Sequence, residues 1–546
     1  MAPERSNFPA RHQRRVLPSA AALALSVALT LPGCHSEPPP STAVVGVVAD
    51  FESINELIVP GSAFNDAIVD RLFLQLADER PDYGSGPATF EPRLAESWSF
   101  DEDRSTLTFR LREGVTWSDG IPVTAEDVRF SWQAQTHPDV AWNYAFVKEA
   151  ITDVEVVDER TARFHFSEPS STQLADANEG VILPAHVWGR LAFERWREIP
   201  QWFAENQVTS GPFQIESQAP DQQLVLVRNE RYYEEGLPRL ERVVFRRLGN
   251  RSALVDQLLA GELHLIRTPD PSDVERLRGS EGIRIVDYPS RQFNLVSWNV
   301  GRPTFDDPSV RRALALAVDR QEIVDTLCYG LATVGFSPIV TGVWPHHPDL
   351  QPWPYDPEQA RLLLEEAGWA DVDGDGVRER DGVELRFELS TNPGSELRWN
   401  AMQMIQEQLG RVGVAVELRQ IDYATLSARN LAHDYDATVI GLLMDTTLDL
   451  SYLIHSEAIE GGYNFGQYSN PEIDRLVDEV TQAIDKRDVE PALLRIQEIL
   501  HQDQPFLFLW EPRGLLAVRD ELVDVHPDTL SAFSNMRQWR IEAPAD

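Results

Sequence analysis

The sequence predicts a mixed α/β protein with two or more domains, and three observations lead to this prediction. The chain has 546 residues, more than a single hydrophobic core usually holds. Its apolar fraction of 42% and its charged fraction of 25% are those of ordinary globular proteins. From residue 42 onward, short β-branched or alternating runs are interleaved with helix-like segments, which indicates sheets covered by helices.

The first 41 residues are predicted to be an export signal followed by a tether. A basic start precedes an apolar run at 16–31, and the run ends in Pro32-Gly33-Cys34. This order is typical of a secretory signal, here assigned to residues 1–33. A cysteine directly after glycine resembles a bacterial lipobox, in which the cysteine is lipidated; a plain signal peptide with a chance cysteine stays open. Residues 34–41 are rich in Pro and are predicted to tether the protein to a membrane surface through Cys34.

Several segments of the body are predicted to be strands. The run "TAVVGVVADF" (42–51) is apolar and β-branched, as in a buried strand. In "TLTFRLREGV" (106–115) apolar and polar residues alternate, which indicates a half-buried strand, and 153–166 is typical of a hairpin. Further strands are expected at 223–229 and 239–248.

The predicted helices share one kind of start, a capping side chain followed directly by proline. Such a pair satisfies a free N–H group of the first turn and places proline where no N–H is needed. The pairs are Asp307-Pro308, Asp356-Pro357 and Asn470-Pro471. A fourth helix is expected after Thr124, where Asp127 completes a variant of the capping box.

Acidic residues dominate the charge of the chain. Asp and Glu number 87 against 49 Lys and Arg, which gives a formal net charge of -38. Nucleic acid is excluded as a partner, because phosphate binding needs clustered basic residues. The charge favours a cationic ligand only if it is focused in a cleft, and a solvated acidic surface is the simpler interpretation. Lysine occurs only at Lys148 and Lys486, and no function is inferred from its scarcity.

The sequence contains none of the common catalytic motifs, so an enzyme is not expected. There is no H-E-x-x-H, no G-x-S-x-G and no phosphate-binding loop. Cys328 lies in the helical pattern "EIVDTLCYG" and is predicted to be a small core residue rather than a nucleophile. Carboxylates are plentiful, so composition leaves a carboxylate-dependent glycosidase open.

The acidic stretch "DVDGDGVRERDG" (371–382) is similar to the first half of an EF-hand calcium loop. Asp371, Asp373 and Asp375 match positions 1, 3 and 5 of that loop, but position 12 is Gly382 instead of a bidentate Glu. A strand-like run follows in place of the exiting helix. Two interpretations stay open, a structural calcium site and a solvated acidic turn.

Four longer stretches carry a resemblance to a known family. They are "LTFRLREGVTWSDGIPVTAEDVRFSW" (107–132), "TSGPF" (209–213), "FNLVSWNVGRPTFDDPSVRRALALAVDRQEIV" (293–324) and "NFGQYSNPEIDRLVDE" (464–479). They resemble segments of the bacterial extracellular solute-binding proteins of family 5, the dipeptide, oligopeptide and nickel receptors of ABC importers. The resemblance extends from about residue 42 to about residue 515.

The resemblance implies an α/β fold of two lobes that close on a ligand like a hinged flytrap. This is the type II periplasmic-binding-protein fold, in the large cluster that carries an extra inserted domain. The implied parts are lobe I (42–66, 207–300 and 506–546), the inserted domain (67–206) and lobe II (301–505). The chain is expected to cross between the lobes near Trp298-Asn299 and near Phe506–Trp510.

The implied function is that of a substrate-binding lipoprotein, periplasmic or at the cell surface, which delivers peptides to an ABC permease. Such a protein is expected to be a monomer without catalytic residues, and without a cofactor apart from the possible calcium. In peptide-binding relatives an Asp four residues after a Gly pairs with the α-amino group of the ligand, and here the match is Asp445. The other expected ligand contacts are Tyr463, Asn464, Phe465, Asp50, Glu52, Ser53 and Trp298.

Two alternatives to peptide binding stay open. Leu442 stands where peptide-binding relatives usually have Trp, which favours the same scaffold with another solute, such as a nickel chelate, a sugar or an amine. The second alternative is a secreted glycosidase.

Overall fold

A computed structural model describes residues 41–59 and 63–542. The predicted signal sequence and Cys34 lie outside these residues. In the described part of the chain, no helix combines the length and the apolar character needed to cross a membrane.

The strands and helices follow one another in an irregular α/β alternation. In chain order the strands are β1 (Thr42–Val47), β2 (Ala77–Arg80), β3 (Thr89–Pro92), β4 (Ala95–Phe100), β5 (Thr106–Leu111), β6 (Ile151–Asp158), β7 (Thr161–Phe166), β8 (Phe213–Ala219), β9 (Gln223–Arg228), β10 (Arg242–Arg247), β11 (Leu265–Arg267), β12 (Ile283–Tyr288), β13 (Gln292–Trp298), β14 (Ala332–Thr333), β15 (Glu379–Arg380), β16 (Val383–Glu384), β17 (Arg386–Thr391), β18 (Ala415–Gln420), β19 (Ala437–Leu443), β20 (Phe506–Pro512), β21 (Gly514–Arg519), β22 (Leu522–Val523) and β23 (Arg540–Ile541). The helices are α1 (Ala63–Leu72), α2 (Ala125–Thr136), α3 (Gln173–Asn178), α4 (Ala185–Trp188), α5 (Gln201–Glu205), α6 (Arg251–Leu259), α7 (Pro271–Arg278), α8 (Pro308–Ala317), α9 (Arg320–Leu327), α10 (Pro357–Glu366), α11 (Glu396–Gly410), α12 (Tyr423–Leu431), α13 (Ser451–Ile454), α14 (Pro471–Gln482) and α15 (Glu490–Asp503).

The first large sheet has the strand order β12-β21-β11-β1-β10-β9-β8. Strand β1 lies inside it and pairs in parallel with β10 and β11, which explains why its residues are buried throughout. One face of the sheet packs against α6 and α7 through Leu254, Leu258 and Leu277. The other face shares a core with the segment that corresponds to the predicted inserted domain, whose own antiparallel sheet has the order β4-β5-β7-β6.

The second large sheet has the strand order β14-β20-β13-β19-β17-β18. Helices α8, α10 and α11 cover one face, and Leu314, Leu364 and Met402 are buried there. Helices α14 and α15 cover the other face, through residues such as Leu476 and Ile496. The described residues thus form two lobes, each built around one large sheet.

The crossings between the lobes differ from the predicted positions. Strand β12 ends at Tyr288 in the first sheet and β13 begins at Gln292 in the second, while the return runs from Pro512 to Gly514. The stretches expected to cross, around Trp298 and within β20, instead lie inside the second sheet. There β13 pairs along its length with β19 and β20, and helices cover both faces of the sheet.

The predicted helix starts are confirmed. The side chain of Asp307 accepts a hydrogen bond from the N–H of Ser309, that of Asp356 from Gln359, and that of Asn470 from Glu472. At the start of α2, the N–H of Thr124 donates to Asp127 Oδ2 at 2.8 Å, as expected for the capping box. The predicted strands are also present; the single strands are somewhat shorter than predicted, whereas the hairpin begins two residues earlier, at Ile151.

Candidate functional site

A cavity of about 540 Å³ lies where the first lobe, the inserted domain and the C-terminal segment meet. Its lining is rich in charged side chains and includes three aromatic rings, those of Phe73, Trp142 and Tyr144. The acidic residues of the lining are Glu56, Asp66, Asp70, Asp78, Glu79, Glu91, Glu179 and Asp528, and the basic ones are Arg71, Arg80, Arg93, Arg291 and Arg537. The cavity is therefore a polar enclosure in which acidic groups outnumber basic ones.

Asp445 lies two residues after the end of β19 in the second lobe and is half-buried. Its Oδ1 accepts hydrogen bonds from the main-chain N and from Oγ1 of Thr447, both at 2.7 Å, so the carboxylate is held in a fixed turn. Asp445 is not part of the cavity lining, but Glu179 and Glu79 are. Loss of hydration is the main reason why the pKa values of these two groups are raised, and the charge of Asp445 adds to the effect. The predicted ammonium partner thus lies close to the cavity, on the opposite lobe.

Two acidic side chains of the lining come from α1. Asp66 and Asp70 are four residues apart and therefore lie on the same face of the helix. Burial, and then the charge of Asp70, raises the pKa of Asp66 to about 7. The preceding turn contributes Glu56, whose Oε1 accepts a hydrogen bond from the N–H of Val181 at 3.1 Å. Burial, followed by the charge of Asp70, raises the pKa of Glu56 to about 8.

The end of α3 brings further carboxylates to the site. Glu179 follows the last residue of this helix, and partial loss of hydration inside the cavity, together with the charge of Asp445, raises the pKa of its carboxyl group. Burial also raises the pKa of Asp176 to about 7, and the charges of Asp445 and Asp449 add to this effect. The helix end is held by Lys148, whose Nζ donates to the carbonyl oxygens of Asp176 at 2.5 Å and of Glu179 at 2.7 Å.

Both lysines of the chain are buried near acidic groups of this site, although neither lines the cavity itself. Lys148 is 1% exposed, and burial lowers the pKa of its ammonium group. Burial also lowers the pKa of Lys486, while the charges of Asp449 and Asp445 raise it. The ammonium group of Lys148 therefore lies near carboxylates of the first lobe and the inserted domain, and that of Lys486 lies near carboxylates of the second lobe and near Asp176.

Direct contacts join the lobes beside the cavity. Arg291, in the crossing after β12, donates from Nη1 to the carbonyl oxygen of Met444 at 2.6 Å and from Nε to that of Thr529 at 3.3 Å. Tyr83, in the loop between β2 and β3, is buried among residues of the second lobe. Its carbonyl oxygen accepts a hydrogen bond from the N–H of Trp344 at 2.7 Å.

The predicted segment Tyr463–Phe465 contributes one accessible side chain. Tyr463 is 54% exposed, and its hydroxyl group adds to the raised pKa of Tyr144, which places the two rings near one another. Asn464 is 0% exposed, and its amide bonds to the main chain of His455 and Tyr468. Phe465 is buried as well and packs edge-on against Tyr463. The prediction that Asn464 and Phe465 offer side chains to a ligand is corrected, since both side chains hold the loop together.

The residues predicted after the first strand lie elsewhere. The carboxylate of Asp50 accepts hydrogen bonds from its own neighbour Phe51 and from the N–H of Asp221, so it fastens the β8–β9 turn. Glu52 and Ser53 line a separate depression of about 470 Å³. The first-lobe contribution to the main cavity comes instead from Glu56 and from α1.

Trp298 was also expected to contact the ligand, and the structure corrects this prediction. Its indole is 0% exposed and stacks on Phe305 with ring centroids 5.1 Å apart. Phe387 packs edge-on against the same indole. Trp298 is therefore a core residue of the second lobe.

Cys328 has the role that its helical pattern predicts. It is buried at the end of α9, and burial raises the pKa of its thiol to about 11. The thiol is thus protonated near neutral pH, which does not suit a nucleophile.

The acidic turn after α10 brings together two of its three predicted calcium ligands. Carboxylate oxygens of Asp371, Asp373 and Glu379 lie within 4.8 Å of one another. Asp375 is not part of this group, and its Oδ1 accepts a hydrogen bond from the N–H of Val377. The carboxylate of Asp371 accepts from the N–H groups of Gly374 and Gly376. The donor chemistry fits calcium, but these carboxylates already have hydrogen-bond donors in the turn itself.

The chain is similar to proteins that bind solutes outside the cell. The family model described as bacterial extracellular solute-binding proteins, family 5 Middle, matches residues 89–461. The chain is 27% identical over 503 residues to the oligopeptide-binding protein AppA of Bacillus subtilis (strain 168), with 91% of each chain covered.

Two solved structures have the same fold. The structure of Bacillus subtilis AppA in complex with a nonapeptide superposes with a TM-score of 0.79 at 26% identity, covering 92% of this chain and 99% of that one. NikZ from Campylobacter jejuni in complex with Ni(L-His) gives a TM-score of 0.79 at 22% identity, with 92% and 100% covered. The two lobes agree with these matches, and the chain belongs to family 5 of the bacterial extracellular solute-binding proteins.

Proposed function

We propose that this protein is the substrate-binding component of an ABC importer and that it captures peptides between its lobes. The observation that carries the proposal is the similarity to an oligopeptide-binding protein over nine-tenths of the chain. Closure around the peptide excludes water from the site. The ligand stabilises the closed form only by the difference between its binding free energies to the closed and the open form. A membrane permease then recognises the closed form.

Asp445 is the proposed partner of the α-ammonium group of the peptide. Its carboxylate is held by Thr447, and no basic side chain of the described residues lies within 4.0 Å of it. A half-buried carboxylate without a counter-ion is stabilised when an ammonium group binds, because the attraction is stronger in the enclosed site than in water.

Native mass spectrometry of the protein purified from cells grown in rich medium tests this function. We expect a bound mass that is released on denaturation and that fragments as a peptide. A protein that emerges without ligand, and that then binds no member of a peptide library in calorimetry, would overturn the proposal.

A non-peptide solute is the second candidate, and the observation that favours it is Leu442. Leu442 is half-buried, and peptide-binding relatives are expected to carry Trp at the position of this leucine. Calorimetry with nickel–histidine chelates and oligosaccharides distinguishes this candidate from the first. Stoichiometric binding without turnover is expected in either case, whereas turnover of a glycan would indicate a glycosidase.

The proposed location is the outer surface of a membrane, with a lipid on Cys34 and the rest of the protein exported as a monomer. The basic start, the apolar run and the Gly33-Cys34 pair support this part of the proposal. Mass spectrometry of the mature N-terminus after expression in a bacterial host tests it. A diacylglycerol adduct on Cys34 is expected, and an unmodified cysteine would contradict the anchor.

A further inference from the structure

The cavity described above contains two kinds of acidic side chain, those with a basic partner and those without. Asp78 forms ion pairs with Arg93 and, at 3.8 Å, with Arg537. Asp70 is paired with Arg71 at 3.7 Å. These pairs balance the charge at one part of the lining.

The remaining carboxylates have no such partner. Among the described residues, Glu56, Asp66 and Glu179 form no ion pair with Lys, Arg or His within 4.0 Å. Loss of hydration raises the pKa of all three, and the charges of neighbouring carboxylates, Asp70 among them, raise it further. The Oε1 atom of the neighbouring Glu79 is buried and accepts no hydrogen bond within the described part of the chain. Four acidic groups thus line one part of the cavity with no ion pair to balance them.

The nearby lysine does not remove this imbalance. The Nζ of Lys148 lies behind the lining and donates to the carbonyl oxygens of Asp176, Ala177 and Glu179. Its hydrogen bonds therefore go to the main chain at the end of α3. The carboxylate of Glu179 stays accessible to the solvent inside the cavity.

Aromatic rings accompany these carboxylates. Trp142 and Tyr144 both line the cavity and pack edge-on with ring centroids 5.7 Å apart. Tyr144 is 43% exposed, so its ring is available to a ligand. Carboxylates beside aromatic faces form a site that suits an ammonium or guanidinium group, which gains ion pairing and a cation–π contact together.

We infer that the protein selects peptides with a basic side chain. The ammonium or guanidinium group of this side chain occupies the part of the cavity lined by Glu56, Asp66, Glu179 and Tyr144. The inference rests on the proposed function, in which Asp445 takes the α-ammonium group. The bound peptide then carries at least two positive charges, one for each lobe. An acidic peptide is disfavoured, because its carboxylate finds no basic partner among these groups, whereas a basic side chain forms ion pairs with them as they ionise.

Calorimetry with matched peptides tests this inference on protein freed of ligand by denaturation and refolding. The probes are alanine peptides, from dipeptides to nonapeptides, each carrying lysine, norleucine or glutamate at one position. Norleucine keeps the four-carbon chain of lysine and lacks its terminal ammonium group. At the preferred position, lysine is expected to bind at least about tenfold more tightly than norleucine, a difference of about 1.4 kcal/mol, and glutamate more weakly than both.

The variants Glu179→Gln and Asp66→Asn test whether the preference for lysine peptides arises in this cavity. Each removes one charge at nearly constant shape and is expected to reduce the lysine preference to within about threefold, while the norleucine peptide binds as before. The matched control is Glu102→Gln, at an exposed position of the β4–β5 turn, which is expected to keep the full preference.

The outcomes separate this inference from the function on which it rests. If norleucine and lysine peptides bind equally well, the protein is a peptide receptor and the inference is wrong. If no peptide binds, the proposed function fails as well. If the lysine preference survives in both variants, the basic side chain binds elsewhere and the assignment of this cavity is overturned.

Discussion

At the scale of single residues, the charge of Asp445 is expected to control affinity for the ligand. The substitution Asp445→Asn keeps an oxygen that can accept from Thr447 and so preserves the turn. It removes the negative charge, and the affinity for a peptide with a free amino terminus is expected to fall by at least about tenfold, or about 1.4 kcal/mol. Calorimetry measures the change.

Two controls make the Asp445 result specific. Glu366→Gln neutralises an exposed acidic residue of the same lobe at the end of α10 and is expected to leave affinity unchanged. An N-acetylated peptide lacks the ammonium group and is expected to bind the wild type as weakly as it binds Asp445→Asn. Equal affinity of the acetylated and free peptides for the wild type would contradict the assignment.

The roles of several single residues could not be predicted from the sequence. Trp298 and Asn464 belong to stretches that resemble the family, yet Trp298 packs in the core and the Asn464 amide bonds within its own loop. Glu56 and Glu179 carry no motif, and they reach one cavity only because the inserted domain packs on the first lobe. Side-chain direction after long-range packing decides these roles, and no local pattern records it.

At the scale of elements, local patterns were sufficient wherever the interaction itself is local. The caps at Asp307, Asp356 and Asn470 bond to the next few N–H groups along the chain, so the sequence contains both partners. The crossings between the lobes were placed wrongly for the opposite reason. Strands β13 and β20 are apolar along most of their length, and this pattern does not state which of the two sheets buries them.

The acidic turn after α10 is the element whose predicted role most needs measurement. Its carboxylates accept hydrogen bonds from the turn's own N–H groups, and Asp375 lies outside the group that converges. Calcium prefers six to eight oxygen ligands, so we expect binding no tighter than roughly 10⁻³ M and no ion retained on purification. Native mass spectra recorded with and without chelator are expected to be identical.

A variant makes the calcium test informative in both directions. Asp373→Asn removes one of the three converging carboxylates and is expected to leave the melting temperature unchanged in calcium and in chelator. A calcium-dependent melting temperature that is lost in Asp373→Asn would instead establish a structural ion at this turn. The substitution leaves an acceptor for the N–H of Asp375, so the turn is kept in either case.

At the scale of the whole molecule, the acidic residues behind the net charge of -38 are found both on the exterior surface and in the cavity. Much of it is solvated or paired on the exterior, as in the exposed pair of Arg475 and Glu479. Another part lines the cavity where the first lobe, the inserted domain and the C-terminal segment meet. Composition alone does not show whether the acidic residues are spread over the surface or concentrated in one site. The fold shows that some of them are concentrated, because it places α1 and the end of α3 against the same cavity.

This gathering of carboxylates is expected to make the ligand-free protein less stable as the pH rises. The pKa of Glu56 is raised from 4.5 to about 8, and those of Asp66 and Asp176 from 3.8 to about 7. Between about pH 4 and pH 8 the folded protein therefore holds protons that the unfolded chain has released. Stability falls with pH wherever the folded state binds more protons, so the contribution of these groups is lost as pH rises through 7 to 8.

The measurement compares the wild type with the double variant Glu56→Gln/Asp66→Asn by thermal unfolding from pH 5 to pH 8. Buried histidines such as His264 have a lowered pKa and act in the opposite direction, but they are common to both proteins and cancel in the difference. The variant is expected to melt at nearly the wild-type temperature at pH 5 and up to roughly 4 °C higher at pH 8. A difference that stays constant with pH would contradict the prediction, because isosteric repacking alone has no reason to depend on proton concentration.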